Sequence, residues 1–476
     1  MKNGKYLKSA TLIALMTAQI LFAPTQALGQ SGGFAVTPIV KRGDAVSDGG
    51  RFFDCNSCEG RVIGLHALNN RGDVAIDADV IQGACLSGRF LISEGKDIKL
   101  VDSCRMTPFG RFSLFGPINV NDQGQAAIHT GVIINDRFVN MLLLYSEGEF
   151  TQIVKEGDTT PVGTIIKGCG FGQPAINNNG DVAFHACAER VNGSFNDGVF
   201  VYSNGIGRKV IVSGDPSPFG GPFVLNFFPA QAVQLNDNGD VLFVAGVRLS
   251  ESIERLGLFI ASQTGFTRIL FDGDRLPTGS IVTPRTSGSG DLNDRGEAVF
   301  TVGITGGQGD RGTFLYSNGE ILRIAEEGDS TPIGGKFKTL GGDSFITPRI
   351  NDSGTVAFLA RVTGGSASSA IFLASPQAIV KVAAIGDALP TGGKIKSITS
   401  FALNDFNQVA FYAEVKNGPK GVFLATPLAP EIRKIKLKRK RGRLELRVDG
   451  TAMITGDTVI EINGVALDEI SYPQEF

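Results

Sequence analysis

Residues 175–184 read AINNNGDVAF, and this stretch decides the fold. Asn177 at the first position of a four-residue turn can cap the backbone with its side chain. Gly180 at the fourth can take the left-handed conformation, so a tight hairpin between two strands is expected. Six variants stand elsewhere in the chain: ALNNRGDVAI (67–76), NVNDQGQAAI (119–128), QLNDNGDVLF (234–243), DLNDRGEAVF (291–300), RINDSGTVAF (349–358) and ALNDFNQVAF (402–411). Their turns open at Asn69, Asn121, Asn236, Asn293, Asn351 and Asn404, and close at Gly72, Gly124, Gly239, Gly296, Gly354 and Asn407. Asn is the residue type that next best tolerates positive φ. The exchange at 407 therefore favours a conformational role for the glycines over a metal- or phosphate-binding one.

The copies recur at a mean spacing of about 56 residues, and two further signatures keep phase with them. One is a Gly-Asp element followed by Pro-x-Gly, as in EGDTTPVG and IGDALPTG; the other is a strand-like run such as GVFVYS or GVFLAT. Runs such as DVAFHACA are apolar on both faces, as expected of strands covered on both sides. Each unit reads as four strands, and no amphipathic helix of useful length interrupts them. Seven such units predict an all-β chain: a seven-bladed β-propeller of four-stranded blades, with an open solenoid as the alternative. The chain's phase favours closure. Val36–Val40 is a fourth strand with no third strand before it, and the last unit stops at Gly421–Thr426 without a fourth. The two halves complete one blade and leave no exposed edge.

Outside the repeats, residues 1–29 read as a signal peptide: Lys2, Lys5 and Lys8, then the apolar run Ala10–Ala23, then Pro24 and the small residues Ala27 to Gly29. Residues 30–428 form the propeller and 429–476 a partial Ig-like β segment, in which IKLKRKRGRLEL forms a hairpin centred on Lys440 and Arg441, with Ile435 facing Leu446 and Leu437 facing Leu444. With 42% apolar and 19% charged residues the chain is not disordered, and its net charge of −2 excludes a general nucleic-acid surface. The reading is of a secreted bacterial protein, periplasmic or extracellular, monomeric and without a transmembrane segment once the signal is removed. Six cysteines in an exported chain point to disulfides. Cys169 and Cys187 sit nearly symmetrically about the Asn177 turn and are expected to pair. Cys85 with Cys104 and Cys55 with Cys58 is one arrangement of the rest, and a crosswise one the other.

The unit Asn177-x-x-Gly180-x-x-x-Phe184 and its copies resemble the bacterial secreted proteins with tandem NxxGxxxF repeats and interchangeable C-terminal anchors, and more distantly the HAF-type extracellular repeats. The resemblance covers residues 36–426 and implies export and repeat architecture, without a reaction. Ile76 and Ile128 replace Phe in the first two copies. The tail strings PEIRKIKLKRKRGRLELRVDG and VIEINGV are similar to the first half of an IPT/TIG domain.

Candidate chemistry is sparse. Among three histidines, His129 and His185 stand eight residues after their turn asparagines, where the first unit has Asp77. Three polar groups at one depth on neighbouring blades are a candidate binding site, with hydrogen-bonded interface residues as the plain alternative. Asp44, Asp158, Asp215, Asp274, Asp329 and Asp387 recur at one rim, broken by Arg105 in the second unit, and are expected to tie their own turns. Arg433–Arg447 carries nine basic residues and one acid, a solvated hairpin face or an attraction for anionic polymers. Nucleophile elbows, zinc-protease motifs, P-loops and calcium loops are absent from the sequence. The function expected is a non-catalytic binding or scaffolding surface at the cell exterior, without a cofactor, for an extracellular polysaccharide or protein. The alternative is a carbohydrate-active enzyme with a polar pocket on the first three blades.

Overall fold

The computed structural model describes residues 33–451, apart from 48, 54–63, 84–86, 103–105, 163–164, 190–196, 226–232, 343–345, 376–377, 429–430 and 441–442, and also 461–462 and 465–466. Residues 1–29, expected to be a signal peptide, and Cys55, Cys58, Cys85, Cys104 and Arg105 lie outside the described residues, as do the side chains of Cys169 and Cys187.

Alternation of apolar residues on both strand faces leaves each sheet with two surfaces to bury. Seven antiparallel sheets solve this by standing face to face in sequence order. Blade 1 centres on the strands Val74–Ile81, Ser87–Ser93 and Lys96–Asp102; blade 2 on Ala126–Ile134, Arg137–Ser146 and Glu149–Lys155; blade 3 on Val182–Glu189, Gly198–Ser203 and Ile206–Val212. Blade 4 follows with Val241–Arg248, Glu254–Ser262 and Gly265–Phe271, blade 5 with Ala298–Thr305, Arg311–Ser317 and Glu320–Glu326, and blade 6 with Val356–Thr363, Ser369–Ala374 and Ile379–Ala384. Blade 7 holds Lys394–Leu403, Val409–Lys416 and Gly421–Pro427. The strand ahead of each turn Asn is continuous in blades 2, 5 and 7. In blades 1, 3, 4 and 6 it is two short pieces on the same partner, and in blade 2 the short strand Met106–Thr107 pairs with it, so these five sheets depart from a plain four-strand count.

Seven apolar clusters fill the seams, one between each pair of neighbouring blades. The Phe of the repeat is a core residue. Phe184, Phe243, Phe300, Phe358 and Phe411 each face a Phe of the next strand (Phe200, Phe259, Phe314, Phe372 and Phe423), with ring centroids 5.6–6.1 Å apart. Where Ile76 replaces Phe it still faces Phe90, and Ile128 faces Leu143.

Closure occurs where the phase of the repeats places it. Strand Phe34–Lys41 pairs antiparallel with Gly421–Pro427 of blade 7, from Phe34↔Pro427 to Lys41↔Gly421. The solenoid alternative is thereby set aside. The turn glycines have φ between 73° and 82°, and Asn407 takes the same region at 56°.

In the tail, Glu431–Lys440 pairs with Arg443–Thr451, but the register differs from the expected one. Leu437 faces Leu446 and Ile435 faces Val448, with Lys440 opposite Arg443. The partners of Ile435 and Leu437 each lie two positions beyond the expected ones, so the shift keeps the same faces of the two strands together. Among the described residues no helix is long and apolar enough to cross a membrane.

Candidate functional site

The seven turns meet on the propeller axis and do more than reverse the chain. Each turn Asn uses its side-chain oxygen locally. In blade 5, Asn293 Oδ1 accepts the N–H groups of Arg295 and Glu297 at 3.1 and 2.9 Å. Its Nδ2 reaches across the seam to the backbone oxygen of the next turn Asn. The bonds run Asn69 to Asn121, Asn121 to Asn177, Asn177 to Asn236, Asn236 to Asn293, Asn293 to Asn351, Asn351 to Asn404 and Asn404 back to Asn69, at 2.9–3.1 Å. All seven asparagines are buried.

A second ring lies on the first. The residue after each turn Asn is Asn70, Asp122, Asn178, Asp237, Asp294, Asp352 or Asp405, and its backbone N–H donates to Oδ1 of the next, around to Asp405 N–H on Asn70, at 2.7–2.9 Å. The two rings line an axial cavity of about 190 Å³. The remaining Oδ2 atoms are not served equally. Asn70 donates to both Asp122 and Asp405, at 2.9 and 2.5 Å, and Asn178 to both Asp122 and Asp237, at 3.0 Å. Asp237, Asp294, Asp352 and Asp405 follow one another with no amide between them. Burial, aided by the neighbouring carboxylates of Asp352 and Asp237, pushes Asp294 up to about 7, and burial also raises Asp352. This arrangement moves the protonation of Asp294 up toward neutral pH.

The residues expected to form a site lie elsewhere. Asp77 Oδ1 is 3.3 Å from His66 Nε2 and its Oδ2 is 3.1 Å from Arg89 Nη1. Burial acts to raise Asp77, but the His66 hydrogen bond and the Arg89 charge outweigh it and hold the carboxyl low. Arg89 also donates to the Gly116 carbonyl of blade 2, at 3.2 Å. His129 turns toward blade 3, its ring edge-on to Phe171 at 5.6 Å. Burial lowers it despite an opposing hydrogen bond with Asn140. His185, 4% exposed, is pushed down to about 4 by burial. The contacts of Asp77 and His129 thus run to different partners in successive seams, and the group that gathers around Asp77 is His66 and Arg89.

The recurring aspartates tie their own turns. Asp44, Asp158, Asp215, Asp274, Asp329 and Asp387 each accept the backbone N–H three residues earlier, at 2.7–3.0 Å. Each also pairs with a cation: Lys41, Lys155, Lys209, Arg255, Arg323 or Lys381. Among the described residues no group of three or more His, Cys, Asp or Glu side chains is spaced to hold a metal ion. Cys169 and Cys187 lie on paired strands, between the partners Ile166↔Ala188 and Phe171↔Ala186.

The turn asparagines were recognisable from sequence as caps; the second ring was not recognised. Its signal was an Asn or Asp after every turn Asn, readable only as turn chemistry until the blades close.

Two opposed titrations follow. Asp294 is raised above its unfolded value, so the folded chain binds more protons and its contribution to stability falls as pH rises from about 4 to about 7. His185 is depressed, so its contribution is lost as pH falls from its ordinary 6.5 toward about 4. Denaturant titrations between those limits should show Asp294→Asn gaining stability as pH rises relative to the parent, and His185→Val the reverse. Equal slopes in all three proteins would rule out both assignments.

A family model described as a family of unknown function (DUF7453) matches residues 68–423. No curated protein matches the chain. Among solved structures, the β-propeller domain of the Trilobed protease from Pyrococcus furiosus is similar at 10% identity and a TM-score of 0.47, over 77% of this chain and 98% of that one. The polysaccharide lyase Uly1 is similar at 10% identity and a TM-score of 0.42, over 85% of this chain and all of that one. A Trypanosoma rangeli sialidase is similar at 11% identity and a TM-score of 0.35, over 83% of this chain and 59% of that one.

Proposed function

The chain belongs to the family of unknown function DUF7453, and we propose that it is an exported, non-catalytic propeller that works as a binding or scaffolding surface. The observation that supports this reading is where its recurrent polar groups are spent. The turn asparagines and the residues after them close the axial rings, and the Gly-Asp carboxylates fasten the outer turns. What varies between blades is the set of exposed loop and strand residues, which a rigid frame holds in place.

A second reading, a carbohydrate-active enzyme, has one observation in its favour. The His66–Asp77–Arg89 group is partly open to solvent, with side-chain exposures of 22%, 28% and 10%, and joins a carboxylate, an imidazole and a cation. Incubation of the purified chain with a panel of bacterial and algal polysaccharides, read for both retention and release of reducing or unsaturated ends, separates the two. Retention without release is the expected result. Release that disappears in Asp77→Asn would replace the first reading with the second.

A further inference from the structure

The last strand of a blade begins opposite the end of its third strand, and one side chain there fills the seam toward the preceding blade. In blade 2 it is Phe150, opposite Tyr145, and in blade 4 Phe266, opposite Ala261. In blades 5 and 6 it is Ile321, opposite Tyr316, and Ile379, opposite Ala374. All four pack onto the apolar cluster of their seam, Phe266 with its ring 5.1 Å from that of Phe223. Blade 1 has Asp97, whose carboxylate instead accepts the Ser47 N–H at 3.1 Å. Blade 3 has Gly207, opposite Tyr202, and no side chain at all.

The seam between blades 2 and 3 accordingly keeps a cavity of about 460 Å³, walled by Pro161, Ile166, Phe184, Phe200, Tyr202 and Gly207. Its size lies in the usual range for small-molecule sites. A Cβ placed on Gly207 would meet Pro161 Cγ at 3.4 Å, an ordinary contact, so the surroundings have room for a side chain. The walls are aromatic and aliphatic, and Asp158, Thr159 and Thr160 also line the cavity.

We propose that this cavity binds a small molecule carrying one hydroxylated aromatic ring, seated where blades 2 and 4 place their own phenylalanine. Blades 2 and 4 fill the slot with a flat six-membered ring, in blade 2 beside a tyrosine, where Phe150 lies 5.3 Å from Tyr145, while blades 5 and 6 fill it with isoleucine. In blade 3 the ring must come from outside. Phe200, Phe184 and Tyr202 give the cavity its aromatic lining, and the hydroxyls of Thr159 and Thr160 can donate to or accept from the ligand's hydroxyl.

Phenol is the probe, with cyclohexanol as a ring of similar size that lacks a π face; calorimetry and saturation-transfer NMR on the whole chain are the readouts. One saturable phenol site in the millimolar range is expected, with cyclohexanol roughly threefold or more weaker. Gly207→Phe, which installs the missing ring, should abolish phenol binding without lowering the melting temperature. If that variant fails to fold, Phe266→Gly opens the corresponding seam of blade 4 and should add a second phenol site. Absence of saturable phenol binding, unchanged binding in a folded Gly207→Phe, failure of Phe266→Gly to add a site, or equal affinity for cyclohexanol would each overturn the proposal.

Discussion

Asn293→Ala should cost about 3–5 kcal/mol in urea unfolding, far more than the removal of one surface polar group. Asn293 is 3% exposed, and its side chain makes four hydrogen bonds. Truncation strands the N–H groups of Arg295 and Glu297 and takes one donor from the Asn351 carbonyl and another from the Glu297 carboxylate. Buried groups left without partners carry about 1–3 kcal/mol each, and Asn351 is itself only 4% exposed. Asn293→Asp should recover part of the loss, because it still accepts the two turn N–H groups. It also points a carboxylate at Glu297 and at a carbonyl oxygen, so the recovery should be larger at acid pH. Asp387→Ala is the contrast. Its side chain is 36% exposed against Lys381, a pair of the kind worth about 1 kcal/mol or less, although the Ala384 N–H also loses its acceptor. Equal costs for Asn293→Ala and Asp387→Ala would show that the axial ring is not a principal fastening.

The difference between these asparagines and aspartates also marks how far the sequence could be read. The bonds accepted by Asn293 Oδ1, the positive φ of Gly296 and the Phe300–Phe314 pair all lie within one blade, so one copy sufficed to infer turn and core, and seven copies sufficed to infer a ring; the bond from Asn293 Nδ2 to the next blade was not legible in this way. Asn407 in the place of a glycine was a direct statement about φ. Val36–Val40 could be placed because a missing fourth strand is a local deficit that one particular segment can fill. By contrast, Asp237 and Asp294 are partners 57 residues apart, and their carboxylates become neighbours only after two whole blades have formed. The same holds for His66 and Asp77: spacing from the turn put Asp77 level with His129, but the imidazole that meets Asp77 comes from the strand before its own turn. Gly207 was invisible for another reason. A glycine in a strand is unremarkable until the same register position is seen to hold Phe150 and Phe266 in other blades.

Deleting residues 33–41 should end the propeller's unfolding as one cooperative unit. That strand contributes a full antiparallel ladder to Gly421–Pro427. Its apolar residues divide between two cores: Phe34 and Val36 pack against the cluster of blades 6 and 7, Ile39 and Val40 against that of blades 7 and 1. Val40 is 2% exposed, and full burial of one such side chain contributes about 1.5–3 kcal/mol. Adding the partly buried residues and the ladder gives a loss on the order of 5 kcal/mol or more. The loss falls at the one place where the ring is held by non-contiguous segments, so blade 7 should open first, in keeping with the stepwise failure of repeat arrays. Hydrogen exchange should show Gly421–Pro427 losing protection before the strands of blades 3 to 5, and the bare edge should promote association. A synthetic peptide of residues 33–42 should restore the protection by adding back as a strand. A proline at Val40 in that peptide removes an N–H and should abolish the rescue, since Val40 is paired with Val422. If the shortened chain kept its protection and melted in one transition, blade 7 would be self-sufficient. The strand would then be a cover and not the fastening of the ring.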